Sequence, residues 1–134
     1  MDRMRFSLIV FSLIIGLNQS CKKPEGEGGS ASIKGKVWTQ KYNGTFSTLQ
    51  AEYPGADEWV YIIYGSETSY GDRIRTNYLG EFEFRFLRTG KYKLYVYSRD
   101  STFQSPSGEV AVVKELEIKE RKQTVDVGQI IIFD

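Results

Sequence analysis

The sequence predicts an all-β sandwich, and three observations carry that prediction. Between Glu81 and Tyr97 apolar and charged side chains alternate. Phe82, Phe84 and Phe86, then Tyr92, Leu94 and Val96, are interleaved with Glu81, Glu83, Arg85, Lys91 and Lys93. Period-two alternation of this kind marks an antiparallel hairpin with one buried face and one in water. Turn signals recur along the chain, among them Asn43-Gly44, Tyr53-Pro54-Gly55, Gly80 and Gly90, and divide it into strand-length pieces. Beyond residue 20, no stretch long enough for a helix carries a helical period.

The chain opens on a targeting segment, residues 1–20. Arg3 and Arg5 make a positive start, and Phe6 to Leu17 form a largely apolar run. The run is too short to span a bilayer, which takes about 20 apolar residues, but it suits the apolar centre of a signal peptide. Cys21, the only cysteine, stands where the cleavage site is expected. A single cysteine in an exported chain has no intramolecular partner, so it needs another role. Leu17-Asn18-Gln19-Ser20-Cys21 resembles a bacterial lipobox, with the small Ser20 before the cysteine. That resemblance implies a lipoprotein whose Cys21 is acylated and becomes the mature N-terminus. Several acyl chains, at about 0.8 kcal/mol per buried methylene, make such an anchor essentially permanent.

Residues 22–30, KKPEGEGGS, hold three glycines, a proline and nothing apolar enough to build a core. With Cys21 they read as a flexible tether whose average span is about 15–18 Å. The folded domain is then expected over 31–134, long enough to bury a core without disulfide or metal.

Strand by strand, Ser32 to Gln40 comes first, with Ile33, Gly35 and Val37 on one face. A glycine inside a strand signals a bulge or a close backbone approach. Asn43-Gly44 then predicts a tight turn and a small hairpin over Lys41 to Leu49. Trp59 to Tyr64 alternates Val60, Ile62 and Tyr64 with Trp59, Tyr61 and Ile63, so both faces are apolar and a central strand is expected. A polar loop, Gly65 to Gly71, leads to a short strand around Arg73 to Asn77. The alternating pair of strands follows, its turns supplied by Gly80 and Gly90. After a long loop from Ser98 to Gly108, the last strands are Val110 to Lys119 and Thr124 to Phe133. That makes seven strands.

These segments resemble, in order, the carboxypeptidase regulatory-like domains. Ile33-Lys34-Gly35-Lys36-Val37 looks like their opening strand, and Pro54-Gly55-Ala56 with Val60 and Ile62 like the approach to their second. Thr76-Asn77, Gly80-Glu81-Phe82-Glu83-Phe84, Leu87 and Gly90-Lys91-Tyr92-Lys93-Leu94 resemble their glycine-marked hairpin, with Asn77 where an aspartate is usual. Val125 to Ile130 resembles their closing strand. The resemblance implies a seven-stranded Greek-key β-sandwich of the transthyretin-like (prealbumin-like) type. Within it Tyr92 is expected to be half buried and Leu87 to cap the core.

Little chemistry is on offer. The chain has no histidine, hence no ordinary general base near neutral pH. On the lipobox reading, rather than that of an ordinary signal peptide with an incidental thiol, Cys21 is committed to lipid; the glycines at 26–29 precede no helix that could cradle phosphate. Asp57, Glu58, Glu67 and Asp72 could supply oxygen ligands for calcium, but their spacing matches no calcium loop. No catalysis, cofactor or metal is expected. Eighteen Lys and Arg face seventeen Asp and Glu, and removal of residues 1–20 leaves sixteen of each. A neutral chain gives no reason to expect nucleic acid as a partner.

What stands out is aromatic. Trp38, Trp59, Tyr61, Tyr95 and Tyr97 fall opposite the predicted core face, where such rings pair across strands, dock a protein or stack on sugars. In the long loop, Asp100-Ser101-Thr102 resembles the motif O-glycosylated in the periplasm of Bacteroidetes, which makes Ser101 the candidate acceptor; the competing role is a turn closed by Asp100. The expectation is a non-catalytic lipoprotein of the cell envelope. Its lipid is held in the outer membrane, because Lys22 is not the aspartate that retains enteric lipoproteins in the inner one. Its partner is an envelope protein or, alternatively, a glycan.

Overall fold

A computed structural model describes residues 23–134 as eight strands: β1 Glu27–Tyr42, β2 Leu49–Pro54, β3 Trp59–Tyr64, β4 Asp72–Arg75, β5 Glu81–Leu87, β6 Gly90–Arg99, β7 Glu109–Ile118 and β8 Thr124–Phe133. There is no helix among the described residues. The leader and Cys21 lie outside them. In the first sheet β1 pairs with β5 and then β2 along one edge, and with β8 along the other. The second sheet runs β4-β3-β6-β7. All pairings are antiparallel except β1 with β8, which is parallel.

The sandwich expected from the sequence is present, with two corrections. The eighth strand is β2, which returns along β1 from the loop 43–48. That loop is wider than the tight turn predicted at Asn43-Gly44. The Asn43 carboxamide accepts the N–H groups of Ser47 and Thr48 and so closes six residues rather than two. The second correction is that β5 and β6 are not a hairpin. β5 pairs with β1 in one sheet, and β6 with β3 and β7 in the other. The chain between them passes from one sheet to the other. Alternation reports which face of a strand is buried, not which strand lies beside it, so two facing strands and two paired ones read alike.

A bulge before the crossing displaces one predicted core residue. Ile33 pairs with Phe84 but Ala31 with Leu87, so β5 spends one more residue than β1. Phe86 takes up the excess at φ 59° and turns out, 70% exposed, while Leu87 turns in to 2%. The core is therefore built without Phe86. It comprises Ala31, Ile33 and Val37 of β1, Val60 and Ile62 of β3, Phe82, Phe84 and Leu87 of β5, and Tyr92, Leu94 and Val96 of β6. Ile118 of β7 with Ile130 and Ile132 of β8 completes it. Each Val, Leu, Ile or Phe among them contributes about 1.5–3 kcal/mol by burial.

Val37 marks where one edge of β1 changes partner. Its N–H donates to the Gly80 carbonyl ahead of β5, and its carbonyl accepts from Gly55 N–H beyond β2. Both partners are glycines for a steric reason. A Cβ on Gly80 would sit 2.4 Å from the Val37 carbonyl oxygen, and one on Gly55 would sit 2.4 Å from Val37 Cγ1. Gly35 also works as a close approach, since a Cβ there would meet the Phe82 ring at 2.7 Å and Val127 at 2.6 Å.

The stretch expected to be a free tether is engaged from Pro24 onward. Strand β1 starts at Glu27, and Gly26 is buried. Gly26 N–H donates to the Tyr92 hydroxyl at 2.9 Å, and that hydroxyl donates to the Arg88 carbonyl at 2.7 Å. Tyr92 is thus fully buried rather than half buried, with both sides of its oxygen satisfied. Polarity did not free this segment, because its hydrogen-bonding partners are supplied by the β5–β6 crossing.

Candidate binding face

Alternation along β3 and β6 sends Val60, Ile62, Leu94 and Val96 into the core. It leaves Trp59, Tyr61, Tyr95 and Tyr97 on the opposite, outer face of the second sheet. Tyr61 and Tyr95 are direct cross-strand partners, and their rings stack at 4.8 Å and 4°. Tyr97 meets Tyr61 edge-on at 5.6 Å and Tyr95 at 5.7 Å. A fourth ring, Tyr70, comes from the loop before β4 and stands against Tyr61 at 5.0 Å. That loop is drawn along β3 by Gly71, whose N–H donates to the Ile62 carbonyl and whose missing side chain leaves room for the Tyr64 ring. Tyr97 and Tyr70 are 47% and 45% exposed, so their rings are open to a partner. Tyr61 and Tyr95 are partly covered. Burial, followed by the phenol oxygens of Tyr97, Tyr61 and Tyr70, raises the Tyr95 pKa. The Tyr95 hydroxyl therefore stays neutral at physiological pH.

Trp59 sits beside this cluster but its ring is taken. The guanidinium carbons of Arg73 and Arg75 on the edge strand β4 lie 4.0 Å and 4.4 Å from its centroid. Arg75 is held in turn by Asp57 at 3.0 Å. Exposed cation–π contacts of this kind contribute about 0.5–1 kcal/mol each.

Trp38 does not join the others. It lies on β1, in the first sheet, where its indole N–H donates to Glu52 and the Lys36 ammonium stands 5.6 Å from its ring. Of the five aromatic candidates, the fold gathers Trp59, Tyr61, Tyr95 and Tyr97 and sets Trp38 apart. Tyr70, Arg73 and Arg75 are additions. Arg73 and Arg75 could have been found by setting β4 in register with β3, which places Arg75 opposite Trp59 and Arg73 opposite Tyr61. Tyr70 had no such signal, because a loop residue's position depends on the path of its loop.

Beside Tyr97 the second sheet splits. β3 pairs with β6 only from Tyr61 to Tyr64, so Glu58 and Trp59 diverge from Ser98 and Tyr97. A groove opens there, with Glu58, Glu109 and Asp134 among its lining residues. Desolvation first, then Asp134 and Asp57, raise the Glu58 pKa. Among the described residues, no group of three acids is arranged to hold a metal ion. The four acids considered for calcium are divided between the two ends of β3: Asp57 and Glu58 precede it, and Glu67 and Asp72 follow.

Ser101 is exposed in the loop after β6. The adjacent Asp100 closes that loop. One carboxylate oxygen accepts Thr102 N–H and hydroxyl, at 2.8 Å and 2.7 Å, and the other accepts Gln104 and Ser105 N–H, at 3.0 Å and 2.7 Å. The Thr102 hydroxyl and then the Ser105 N–H hold its pKa down to about 2.

The fold has a solved counterpart. A Pseudomonas aeruginosa protein, provisionally described as carbohydrate-binding, superposes with a TM-score of 0.51 over 81% of this chain and 91% of its own, at 12% identity. At that identity the likeness speaks for the fold alone. An (S)-allantoin synthase structure is fainter, with a TM-score of 0.43 and 10% identity over 79% of this chain and 43% of its own, and it carries no argument. No protein-family model matches the chain, and no curated sequence matches it significantly.

Proposed function

We propose that this chain is a non-catalytic, lipid-anchored module of the cell envelope, a carboxypeptidase regulatory-like domain of transthyretin-like Greek-key type, that docks an envelope protein through the outer face of its second sheet. One observation carries the docking surface: Tyr61, Tyr95, Tyr97 and Tyr70 from three separate segments converge on that face, with two rings open. Tyrosines pre-packed against one another lose little conformational freedom when a partner arrives. The absence of histidine from the whole chain supports a non-catalytic role. The lipobox-like approach to Cys21 supports the anchor, and Lys22 supports an outer-membrane address.

A photo-crosslinking amino acid at Tyr97 is expected to trap a discrete envelope partner in cells, whereas the same group at exposed Phe86, on the other sheet, traps none. Equal labelling from both positions would remove this face from consideration. Incorporation of labelled fatty acid, lost in Cys21→Ala, tests the anchor.

The second reading is a glycan ligand. The open rings of Tyr97 and Tyr70 favour it, and it agrees with the provisional assignment of the Pseudomonas aeruginosa protein. Against it, Tyr61 and Tyr95 spend a ring face on each other and Trp59 is flanked by two arginines. Titration with a glycan panel decides the matter: no change in Tyr or Trp fluorescence with any member eliminates the sugar. O-glycosylation at Ser101 is a further part of the proposal, and a mass unchanged by Ser101→Ala in protein from its native envelope would eliminate it.

A further inference from the structure

The pole where β1 begins carries a groove whose charged lining residues are all basic: Lys23, Arg88 and Arg121. Lys122 adjoins it, its N–H donating to Ser30 in the groove wall. Among the described residues the ion pairs are Arg75–Asp57, Arg85–Glu83 and Lys93–Glu115, so none of these four cations is neutralised by a salt bridge. Arg88 Nε is buried without a hydrogen-bond acceptor. None of the three nearby acids lines the groove: Glu25 is turned toward Lys91 N–H, Glu27 is exposed on β1 on the Tyr64 side, and Glu120 stands in the β7–β8 turn.

This cationic groove sits where the chain comes in from Cys21. The segment is pinned there: Arg88 donates from its side chain to the Pro24 carbonyl at 3.2 Å and from its backbone to the Gly26 carbonyl at 2.9 Å. Only Lys22 and Lys23 separate Cys21 from Pro24. Three Cα steps reach at most about 11 Å. An acylated Cys21 would therefore hold Pro24, at the edge of the groove, within about 11 Å of the bilayer surface, close to the Debye length of about 8–10 Å. A cation near that surface is attracted to anionic lipid by about 1 kcal/mol.

We infer that this pole is a docking face for anionic phospholipid headgroups, so that the domain stands directly on its membrane instead of swinging on a tether. The close approach rests on the lipid-anchor reading; the groove's affinity for headgroups does not, and the two are tested apart. Residues 22–134 contain every strand of the sandwich and no cysteine. This chain is expected to sediment with phosphatidylglycerol vesicles at low salt but not with phosphatidylcholine vesicles, and to be released at about 0.5 M salt. Lys23→Gln and Arg121→Gln, both at exposed positions, are each expected to weaken binding about fivefold. Lys34→Gln, on the outer face of the first sheet, is expected to leave it unchanged. Equal binding to both lipids, or no loss in either groove variant, overturns the docking face even if fatty-acid labelling upholds the anchor. No labelling of the unsubstituted protein, with headgroup binding retained, overturns the anchor alone.

Discussion

At Tyr92 a single phenol oxygen ties the N-terminal segment to the β5–β6 crossing, accepting from Gly26 and donating to Arg88. Tyr92→Phe keeps the ring and strands both partners, and is expected to cost about 1–3 kcal/mol. Amide exchange at Gly26 should quicken in step with the lower denaturation midpoint. Burial raises the Tyr92 pKa, and raises that of Tyr64 to about 12. The fold holds these phenols neutral, so their contribution is complete below the unfolded value of about 10 and drains away as pH rises through the folded values. Alkaline unfolding followed by circular dichroism should be less steep in Tyr92→Phe than in the parent. The bulge makes a second residue-scale contrast. Leu87→Ala should cost about 2–5 kcal/mol by emptying a core site. Phe86→Gly should stay within about 1 kcal/mol of the parent, because relief of a left-handed conformation offsets the freedom gained by the unfolded chain.

At the scale of elements, the handover at Val37 decides whether two strands can share one edge of a third. Gly80→Ala inserts a methyl against the Val37 carbonyl at φ +79°, so it should cost more than about 1 kcal/mol. Amide exchange should spread to both β2 and the start of β5, rather than to one of them. The loop after β6 answers to acid instead. Because the folded Asp100 pKa is about 2 and lies below the unfolded value of about 3.9, the loop's stabilisation is intact above pH ~4 and is lost as pH falls toward 2. Exchange at Thr102, Gln104 and Ser105, corrected for intrinsic rates, should show that window. Asp100→Ala should lack it and exchange fast throughout.

These elements also show what could be read in advance. The burial of Ile33, Val37, Val60, Ile62, Phe82, Phe84, Leu94 and Val96 followed from period two, which is a property of one strand. Phe86 escaped because a bulge is an agreement between two strands, visible only when β5 is laid beside β1. The misplaced hairpin has the same origin. In the candidate face, outward Tyr61, Tyr95 and Tyr97 were readable from alternation. Tyr70 was not, and Trp38 was grouped with them because alternation assigns a face without assigning a sheet. The segment at 24–30 was misjudged on composition, since glycines that suit a linker also suit a backbone pressed against Leu87 and Arg88.

For the whole molecule, the parallel pairing of β1 with β8 makes the first and last strands run in the same direction, side by side from Ser32–Thr124 to Gln40–Phe133. A load applied between the start of β1 and the end of β8 would pull these strands lengthwise past one another. Their hydrogen bonds would then be strained together, in shear, whereas an antiparallel pair held at one end peels open a bond at a time. A domain fixed to a surface by its N-terminal side and tugged from its far pole is thereby built as a mechanical clamp. Single-molecule extension across residues 27 and 133 should meet one high rupture force, well above that for extension between residues 90 and 118, where β6 and β7 would unzip.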